Sequence, residues 1–277
     1  MNCGQVAGKI EDFIKCYVAG IAAKGVVIGI SGGLDSAVVV MLALRALGQD
    51  KVFGVLLPYV DMDGAHDADV WAEAKNIIKD ARTFLDCFPM SFQVVDIRPM
   101  VSAIASVVLP SDGFMSKGSD AYNKLMGNLK ARVRMCILYG IANRDSRLVL
   151  GTTNKSELAI GYFTKFGDGA CDIEPIADLY KTEVFELAKY LKVPEQIIKK
   201  KPSADLWAGQ TDEGEIGMTY KKLDKILKRM EHEYVKAWDL NSGLLGGEKV
   251  RDIVVSSEHK RNIPPVCEID AKLKEEK

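Results

Sequence analysis

The sequence predicts an α/β fold: a doubly wound, Rossmann-like and mostly parallel sheet of five strands with helices on both faces. Short apolar runs alternate with longer patterns of three- and four-residue spacing, which is typical of strands alternating with helices. The first run, 26–30, is β-branched without polar alternation, as in a strand buried on both faces. We find no internal repeat or low-complexity linker, and we expect one domain over residues 1–277.

Periodicity and turn residues place the elements in chain order. Further strands are expected at 51–57, where Pro58 ends the run, and at 91–96 and 147–150. The predicted helices span 5–24, 37–47, 66–80, 99–109, 121–143, 181–192, 220–233 and 248–260. Two long irregular stretches, 109–120 and 200–213, are candidate lids. The charged end, 271–277, is expected to fray.

The overall composition points away from a polyanionic or membrane partner. The chain has 37 basic and 38 acidic residues, and no stretch approaches the roughly 18–20 apolar residues that span a bilayer. We therefore expect neither nucleic acid nor a membrane as a partner. Six scattered cysteines without a C-x-x-C pair argue against a zinc knuckle and a disulfide framework. Because the N-terminus also lacks a signal-peptide pattern, we expect reduced thiols in a cytoplasmic enzyme.

A glycine-rich turn, Ser31-Gly32-Gly33-Leu34-Asp35-Ser36, follows the first strand. Its glycines allow backbone N–H groups and a helix N-terminus to converge, as they do in phosphate sites. The turn lacks the lysine of a P-loop, and its glycines do not have the spacing of the dinucleotide fingerprint. It resembles the pyrophosphate loop of the ATP pyrophosphatases, where Asp35 would suit magnesium. The alternative is an ordinary strand–helix turn with Ser31 or Ser36 as a cap.

Three other segments carry polar side chains beside predicted elements. The acidic run 61–69 lacks the spacing of a calcium loop and is interpreted as a loop with the first turn of a helix. Glu157 follows the strand 147–150, where it either completes a helix cap with Thr153 or Asn154 or serves as a second magnesium ligand. The glycine-rich run 161–172 either lines a pocket or forms a surface loop.

The longest predicted helix, 121–143, has an apolar stripe with an arginine at its edge. The stripe comprises Tyr122, Leu125, Met126, Leu129, Val133, Cys136, Ile137 and Ile141. Arg132 falls on the shoulder of this stripe, whereas Arg134 points away from it. Arg132 either meets an anionic partner or covers apolar surface with its stem, and periodicity favours the second interpretation.

Several segments together resemble the ammonia-dependent NAD synthetases. Besides the glycine-rich turn, they are Ala131-Arg132-Val133-Arg134-Met135, Gly151-Thr152-Thr153-Asn154 and the run 161–169. Leu179-Tyr180-Lys181-Thr182, the run 202–207 with Gln210-Thr211-Asp212-Glu213, and His259-Lys260-Arg261 continue the resemblance. The similarity covers most of residues 5–265 and is far more specific than the turn alone.

The resemblance implies that the carboxylate of deamido-NAD attacks ATP to form an acyl-adenylate and pyrophosphate, after which ammonia releases NAD and AMP. Asp35 and Lys181 would be catalytic, and Asp35 and Glu157 would hold Mg²⁺. The implied ATP-binding residues are Gly29, Ile30, Ser31, Gly32, Gly33, Leu34, Asp35, Ser36, Thr152, Lys181 and Ser203. The implied deamido-NAD-binding residues are Arg132, Lys165, Asp172, His259 and Lys260. The family also implies a homodimer.

Two other functions remain open from the residues alone. One is another ATP pyrophosphatase, such as a tRNA-modifying enzyme, although a basic face or paired cysteines would then be expected. The other is a non-catalytic nucleotide-binding module, which would not need both Asp35 and Glu157. About 25 residues precede the first strand, too few for the glutaminase domain of glutamine-dependent relatives, so we expect free or partner-supplied ammonia as the nitrogen source.

Overall fold

The computed structural model describes residues 1–59, 90–109, 115–203, 207, 210–232 and 246–269. The described residues contain one parallel sheet in the order β3-β2-β1-β4, formed by β1 (Val26–Gly29), β2 (Val52–Leu56), β3 (Ser91–Val94) and β4 (Leu148–Leu150). β1 is central, pairing Val26 with Val52 on one side and with Leu148 on the other. The four strands located from the sequence are therefore confirmed.

The prediction of five strands needs correction, because the described residues contain four. The fifth position is an isolated parallel bridge between Leu150 and Ile173, in which the Gly151 N–H donates to the Ile173 carbonyl at 2.8 Å. The bridge does not lengthen into a strand. The Asp172 carboxylate accepts from the Val149 N–H at 2.7 Å, and Pro175, two residues beyond the bridge, has no N–H to donate.

Helices follow most of the strands and cover the sheet. Their bounds are α1 (Cys3–Gly20), α2 (Leu34–Leu47), α3 (Arg98–Val108), α4 (Asp120–Asp145), α5 (Lys155–Ile160), α6 (Lys181–Tyr190), α7 (Glu195–Lys199), α8 (Asp212–Ile216), α9 (Tyr220–His232), α10 (Gly247–Ser256) and α11 (Glu258–Arg261). No helix within the described ranges is long and apolar enough to cross a membrane.

Alternate side chains of β1 enter two different cores, which makes the sheet doubly wound. Val26 and Ile28 pack with α1, α2 and α6 on one face, whereas Val27 packs with α3 and α4 on the other. A third apolar cluster joins α5, α8, α9 and α10 beyond the end of β4. This arrangement brings the N-termini of α2, α5 and α6 to the carboxyl edge of the sheet, where such folds bind ligands.

The predicted apolar stripe of α4 is largely confirmed, since all of its residues except Cys136 pack in the cluster around Val27, but the residues at its edge differ from the prediction. Arg134 is half-buried and donates from Nε to the Leu57 carbonyl at 3.1 Å, whereas Arg132 is exposed. Cys136, which the prediction placed in the apolar stripe, is exposed as well. The buried set also includes Ala131, Met135 and Leu138. The apolar face is therefore wider than the predicted stripe.

Two predicted helices have different bounds, and several predicted segments lie outside the described residues. The expected helix 248–260 is two helices, because the chain bends at Ser257. The first helix ends at Gly20 rather than Lys24, and the positive φ of Ala22 (54°) prevents its continuation. The acidic run 61–69, the helix 66–80 and the end 271–277 lie outside the described residues, as do parts of both candidate lids.

Candidate active site

The turn between β1 and α2 presents backbone donors toward the carboxyl edge of the sheet. Gly32 has φ +73°, a left-handed conformation that favours glycine. The Gly33 N–H donates to Ser31 Oγ at 3.2 Å, and the Ser31 and Ser36 hydroxyl oxygens lie 3.0 Å apart. Gly33 caps α2 without a side-chain hydrogen bond, so the helix N-terminus carries no acidic or hydroxyl cap of its own. Such a glycine-rich turn before a helix N-terminus is typical of phosphate sites.

Lys181, the first residue of α6, lies between two carboxylates at this edge. Its Nζ donates to Asp35 Oδ2 at 2.5 Å and to Glu157 Oε1 at 3.0 Å, and the residue is 2% exposed. Burial alone lowers the pKa of Lys181, but Asp35 and Glu157 raise it above its ordinary value overall. Burial raises the pKa of Glu157 to about 7 against the opposing effect of Lys181. The lysine is therefore a fixed cation and not a proton acceptor.

Glu157 serves as a helix cap and a site residue at once. Asn154 caps α5: its Oδ1 accepts from the Glu157 N–H at 3.1 Å, and Glu157 Oε2 accepts from the Asn154 N–H at 3.3 Å. The capping box leaves Glu157 Oε1 for Lys181. Asn154 itself is buried and donates from Nδ2 to Asp35 Oδ1 at 3.0 Å. The two interpretations of Glu157, as a helix cap and as a magnesium ligand, are therefore compatible, because each uses a different carboxylate oxygen.

Sequence reasoning missed Tyr220 and Asp212, which complete this cluster. The Tyr220 hydroxyl lies 3.1 Å from Asp212 Oδ2 and 3.4 Å from Glu157 Oε1, and Lys181 Nζ lies 5.0 Å from the centre of its ring. Asp212 is 4% exposed, and its Oδ1 has no hydrogen-bond partner among the described residues. Burial raises the pKa of Asp212. The only signal for Asp212 was its place in the run Gln210-Thr211-Asp212-Glu213.

The oxygen donors of this cluster suit magnesium. One ammonium group contacts both Asp35 and Glu157, so their carboxylates are close enough to share one cation. Across the described residues, no group of three or more His, Cys, Asp or Glu side chains is placed to hold a metal ion. Mg²⁺ commonly uses one or two carboxylates together with phosphate oxygens of a nucleotide and water. The pair therefore fits a magnesium ion that arrives with ATP.

Four of the residues expected to bind deamido-NAD meet on the loop 161–169. Arg132 Nε donates to the Lys165 carbonyl at 3.3 Å, and Lys165 Nζ donates to the His259 carbonyl at 2.5 Å. Lys260 Nζ donates to the carbonyls of Gly161 and Phe163 at 2.7 and 2.8 Å. This cationic loop cluster, Arg132, Lys165, His259 and Lys260, lies on three separate elements that only the fold brings together.

The remaining predicted residues are placed differently. Asp172 lies apart from the cationic loop cluster, because its oxygens accept from the Val149 N–H at 2.7 Å and the Tyr139 hydroxyl at 3.3 Å. Burial and then Asp172 raise the pKa of Tyr139 to about 12. Thr152 is half-buried directly after β4. Ser203 Oγ donates to the Gln210 carbonyl at 2.8 Å, which ties the stretch after α7 to the start of α8.

The sequence also matches a family model over nearly its whole length. Residues 6–264 match the model described as NAD synthase. The chain belongs to the NAD synthase family. The glycine-rich turn, the Lys181 cluster and the cationic loop cluster all fall within the residues matched to the NAD synthase model.

Relatives in this NAD synthase family cover the chain nearly end to end. The NH(3)-dependent NAD(+) synthetase of Pyrococcus horikoshii is 46% identical over 263 residues, covering 92% of this chain and 93% of the relative. That of Methanosarcina mazei is 40% identical and covers 97% of this chain and 100% of the relative.

Two solved structures extend the comparison to three dimensions. The NMN synthetase of Francisella tularensis superposes with a TM-score of 0.79 at 33% identity, and the NH3-dependent NAD synthetase of Campylobacter jejuni, solved with a nitrate ion, with 0.73 at 30%. Each match covers 97% of this chain and 100% of the other. The α/β fold with a parallel sheet is therefore that of known synthetases.

Proposed function

We propose that this chain uses ATP to amidate deamido-NAD with ammonia, forming NAD through an acyl-adenylate and releasing AMP and pyrophosphate. The observation that carries the proposal is the buried Lys181 held between Asp35 and Glu157, directly beside the glycine-rich turn. Such a cluster suits a reaction that builds negative charge on phosphate oxygens. The full-length similarity to NH(3)-dependent NAD(+) synthetases supports the acceptor and the nitrogen source.

In the first half-reaction the nicotinic acid carboxylate attacks the α-phosphorus of ATP. A bond forms between the carboxylate oxygen and phosphorus, and the bond from phosphorus to the pyrophosphate oxygen breaks. The phosphates bind to the turn and to the N-terminus of α2, which together comprise Gly29, Ile30, Ser31, Gly32, Gly33, Leu34, Asp35 and Ser36. Lys181 stabilises the charge that develops on the transferred group.

In the second half-reaction ammonia attacks the acyl carbon and AMP leaves. The ammonia nitrogen forms the amide bond, loses a proton and expels AMP from the acyl group. No side chain of the protein has to become covalently attached in either step. The half-buried Thr152 and Ser203 are proposed to contact ATP from the strand end and from the stretch before α8.

Mg²⁺ is the cofactor that this site suits, and Asp35 and Glu157 would hold it together with phosphate oxygens of ATP. When bound, it supplies charge neutralisation on the phosphates. Lys181 contacts the same two carboxylates, so their negative charge would be balanced by both the lysine and Mg²⁺. The proposal is tested by omitting Mg²⁺ from the assay, which we expect to abolish AMP formation.

The cationic loop cluster is proposed to bind deamido-NAD. Arg132, Lys165, His259 and Lys260 carry donors suited to its phosphates and to its carboxylate. Asp172 is proposed to contact the same substrate. Since both of its oxygens are engaged within the chain, a bound hydroxyl has to replace or share the Tyr139 contact.

Residues 1–277 are proposed to act as one synthetase domain of a cytoplasmic homodimer. The cysteines within the described residues are free thiols, as expected in a reducing compartment. Sedimentation of the purified protein tests the dimer. Comparing ammonium with glutamine as the nitrogen source tests the expectation that the chain uses ammonia without a glutaminase activity of its own.

One observation supports an alternative acceptor. The Francisella relative, with a TM-score of 0.79, is an NMN synthetase, so the mononucleotide acid that corresponds to NMN is the alternative acceptor. The deciding experiment measures AMP release with ATP, Mg²⁺ and ammonium, and with either deamido-NAD or the mononucleotide acid. We expect a higher kcat/KM with deamido-NAD. A higher value with the mononucleotide would move the function to the alternative acceptor.

A further inference from the structure

α9 presents a buried carboxylate to the two helices that carry Glu157 and Lys181. Asp224 is 2% exposed, and one of its oxygens accepts from Ser156 Oγ at 2.5 Å. The other accepts from the backbone N–H of Thr182 at 2.8 Å. A carboxylate in such a place is unfavourable unless its oxygens are hydrogen-bonded, and here each has a partner.

The partners of Asp224 lie next to Lys181 and Glu157 in the sequence. Ser156 Oγ, which donates to Asp224, accepts from the backbone N–H of Lys181 at 2.9 Å and is fully buried. Ser156 precedes Glu157 in α5, and Thr182 follows Lys181 in α6. Asp224 therefore contacts a neighbour of each member of the charged pair and connects the first turns of both helices.

A second residue on the same face of α9 contacts the pair itself. Tyr220 lies four residues before Asp224, a spacing that puts both side chains on one side of the helix. Its hydroxyl lies 3.4 Å from Glu157 Oε1 and its ring lies below Lys181 Nζ. One face of α9 thus contacts the side chains of Glu157 and Lys181, through Tyr220, and the residues next to them in the chain, through Asp224.

We propose that Asp224 is a positioning residue that places Lys181 and Glu157 against Asp35 through Ser156 and Thr182. The proposal rests on the proposed function of these three charged residues. α5 ends at Ile160 and α6 begins at Lys181, after a loop of 20 residues, so a group that accepts from the first turns of both helices restricts the distance between them. Asp224 itself touches neither substrate nor metal.

The direct test is Asp224→Asn, which keeps the shape but turns one acceptor oxygen into a donor. The amide cannot accept from both Ser156 Oγ and the Thr182 N–H. We expect kcat to fall about 10- to 100-fold, as small misplacements of catalytic groups do. KM for ATP and for deamido-NAD should change by less than about threefold. The reason is that the contacts of Lys181 and Glu157 with the phosphate are stronger in the transition state than in the bound substrates.

A matched control separates positioning from simple destabilisation of α9. Leu227 is a buried apolar residue of the same helix and the same apolar cluster. Leu227→Ala should lower the melting temperature but leave the kcat of the folded protein within about twofold of wild type, since it removes packing without touching the polar contacts. An Asp224→Asn variant with the kcat of this control would overturn the proposal.

Ser156→Ala supplies a second, independent variant that removes the hydroxyl between Asp224 and Lys181. It should lower kcat by about the same factor as Asp224→Asn. If Asp224→Asn does not fold, this variant still tests the proposal. If Asp224 acts through Ser156, the double variant loses little more than either single variant. Losses that multiply would contradict action through Ser156.

Failure of this inference is distinguishable from failure of the proposed function. A wild-type protein that forms neither AMP nor NAD contradicts the proposed function. Crystal structures of wild type and Asp224→Asn then test the positioning role alone, through the contacts of Lys181 Nζ with Asp35 and Glu157. We expect these contacts to lengthen or break in the variant, and unchanged contacts would overturn the proposal.

Discussion

Lys181 combines a buried position with a permanent charge. A single ammonium ion in such a place is unfavourable unless carboxylates surround it, and Asp35 and Glu157 do so at 2.5 and 3.0 Å. Its two partners make it more basic than an ordinary lysine, despite its burial. The raised pKa keeps Lys181 protonated at neutral pH, which suits binding phosphate and not proton transfer.

Replacing Lys181 by methionine should remove most of the turnover. We expect Lys181→Met to lower kcat about 10²- to 10³-fold, the usual cost of removing one preorganised donor to a developing anion. Lys155→Met is the matched control, because Lys155 also contacts two carboxylates, Asp178 and Glu231, but on the outer side of α5. AMP release by both variants is the measurement, and equal losses would contradict the role of Lys181.

The pKa of Glu174 gives a prediction about stability and pH. Burial raises this pKa from 4.5 to about 7, although the Thr153 N–H donates to the carboxylate at 3.2 Å. The folded state therefore binds the proton more tightly than the unfolded state, so this group lowers the free energy of unfolding as pH rises from about 4.5 to 7.

Glu174→Gln should remove this contribution. Denaturant unfolding at several pH values is the measurement, and the variant should gain stability relative to wild type as pH rises, by about 1–3 kcal/mol at pH 7 and above. Glu157 contributes a slope of the same sign to both proteins, so only the difference between them is informative. A constant difference across this range would show that Glu174 does not titrate there.

Among the elements, the turn before α2 depends most strictly on backbone conformation. Gly32 has φ +73°, which a residue with a Cβ adopts only at a cost of about 1–2 kcal/mol. Gly32→Ala should therefore lower stability modestly and raise KM for ATP well above tenfold, because the displaced N–H groups no longer converge on the phosphates.

Gly48 is the matched control for this glycine. It has φ +79° at the C-terminus of α2, and open space surrounds the position of an added Cβ. Because Gly48 has ψ 163°, a conformation essentially restricted to glycine, Gly48→Ala should lower stability at least as much as Gly32→Ala, with an unchanged KM for ATP. Thermal unfolding and initial rates on both variants separate backbone strain from phosphate binding.

The loop 161–169 and α11 form the proposed deamido-NAD-binding element. Arg132 reaches the loop from the exposed side of α4, with Nε on the Lys165 carbonyl. Arg132→Ala should raise KM for deamido-NAD about tenfold, the cost of one charge-assisted hydrogen bond, and leave KM for ATP unchanged. Arg144→Ala, at the far end of the same helix beside Asp145, is the control and should change neither KM. An equal rise in both KM values would contradict the assignment.

At the scale of the whole molecule, the parallel sheet brings three helix N-termini and the glycine-rich turn to one edge. If Mg²⁺ and ATP bind there together, they stabilise the folded state by mass action. Saturating Mg²⁺ and ATP should raise the melting temperature by several degrees, as expected for about 3 kcal/mol in a chain of this size. ATP with a chelator should produce a much smaller shift. Equal shifts with and without Mg²⁺ would contradict the metal site.

Local signals predicted the elements that have strong periodicity or a special turn. The four strands and the start of α6 at Lys181 lie within a few residues of their predicted bounds. The break at Ser257 and the burial of Arg134 were missed, because both depend on contacts from distant segments. Arg134, for example, is half-buried only because β2 ends beside it with a free carbonyl at Leu57.

The order of residues along the chain was sufficient for the α/β class, the glycine-rich turn before α2 and the family, since these depend on local conformation and on short motifs. It was not sufficient for the contacts among Asp35, Glu157, Lys181, Asp212 and Tyr220, which come from five different helices. Burial sets the charge state of such groups and decides which carboxylate oxygen remains unpaired. Those properties depend on packing across more than a hundred residues of sequence, and periodicity within one segment carries no information about them.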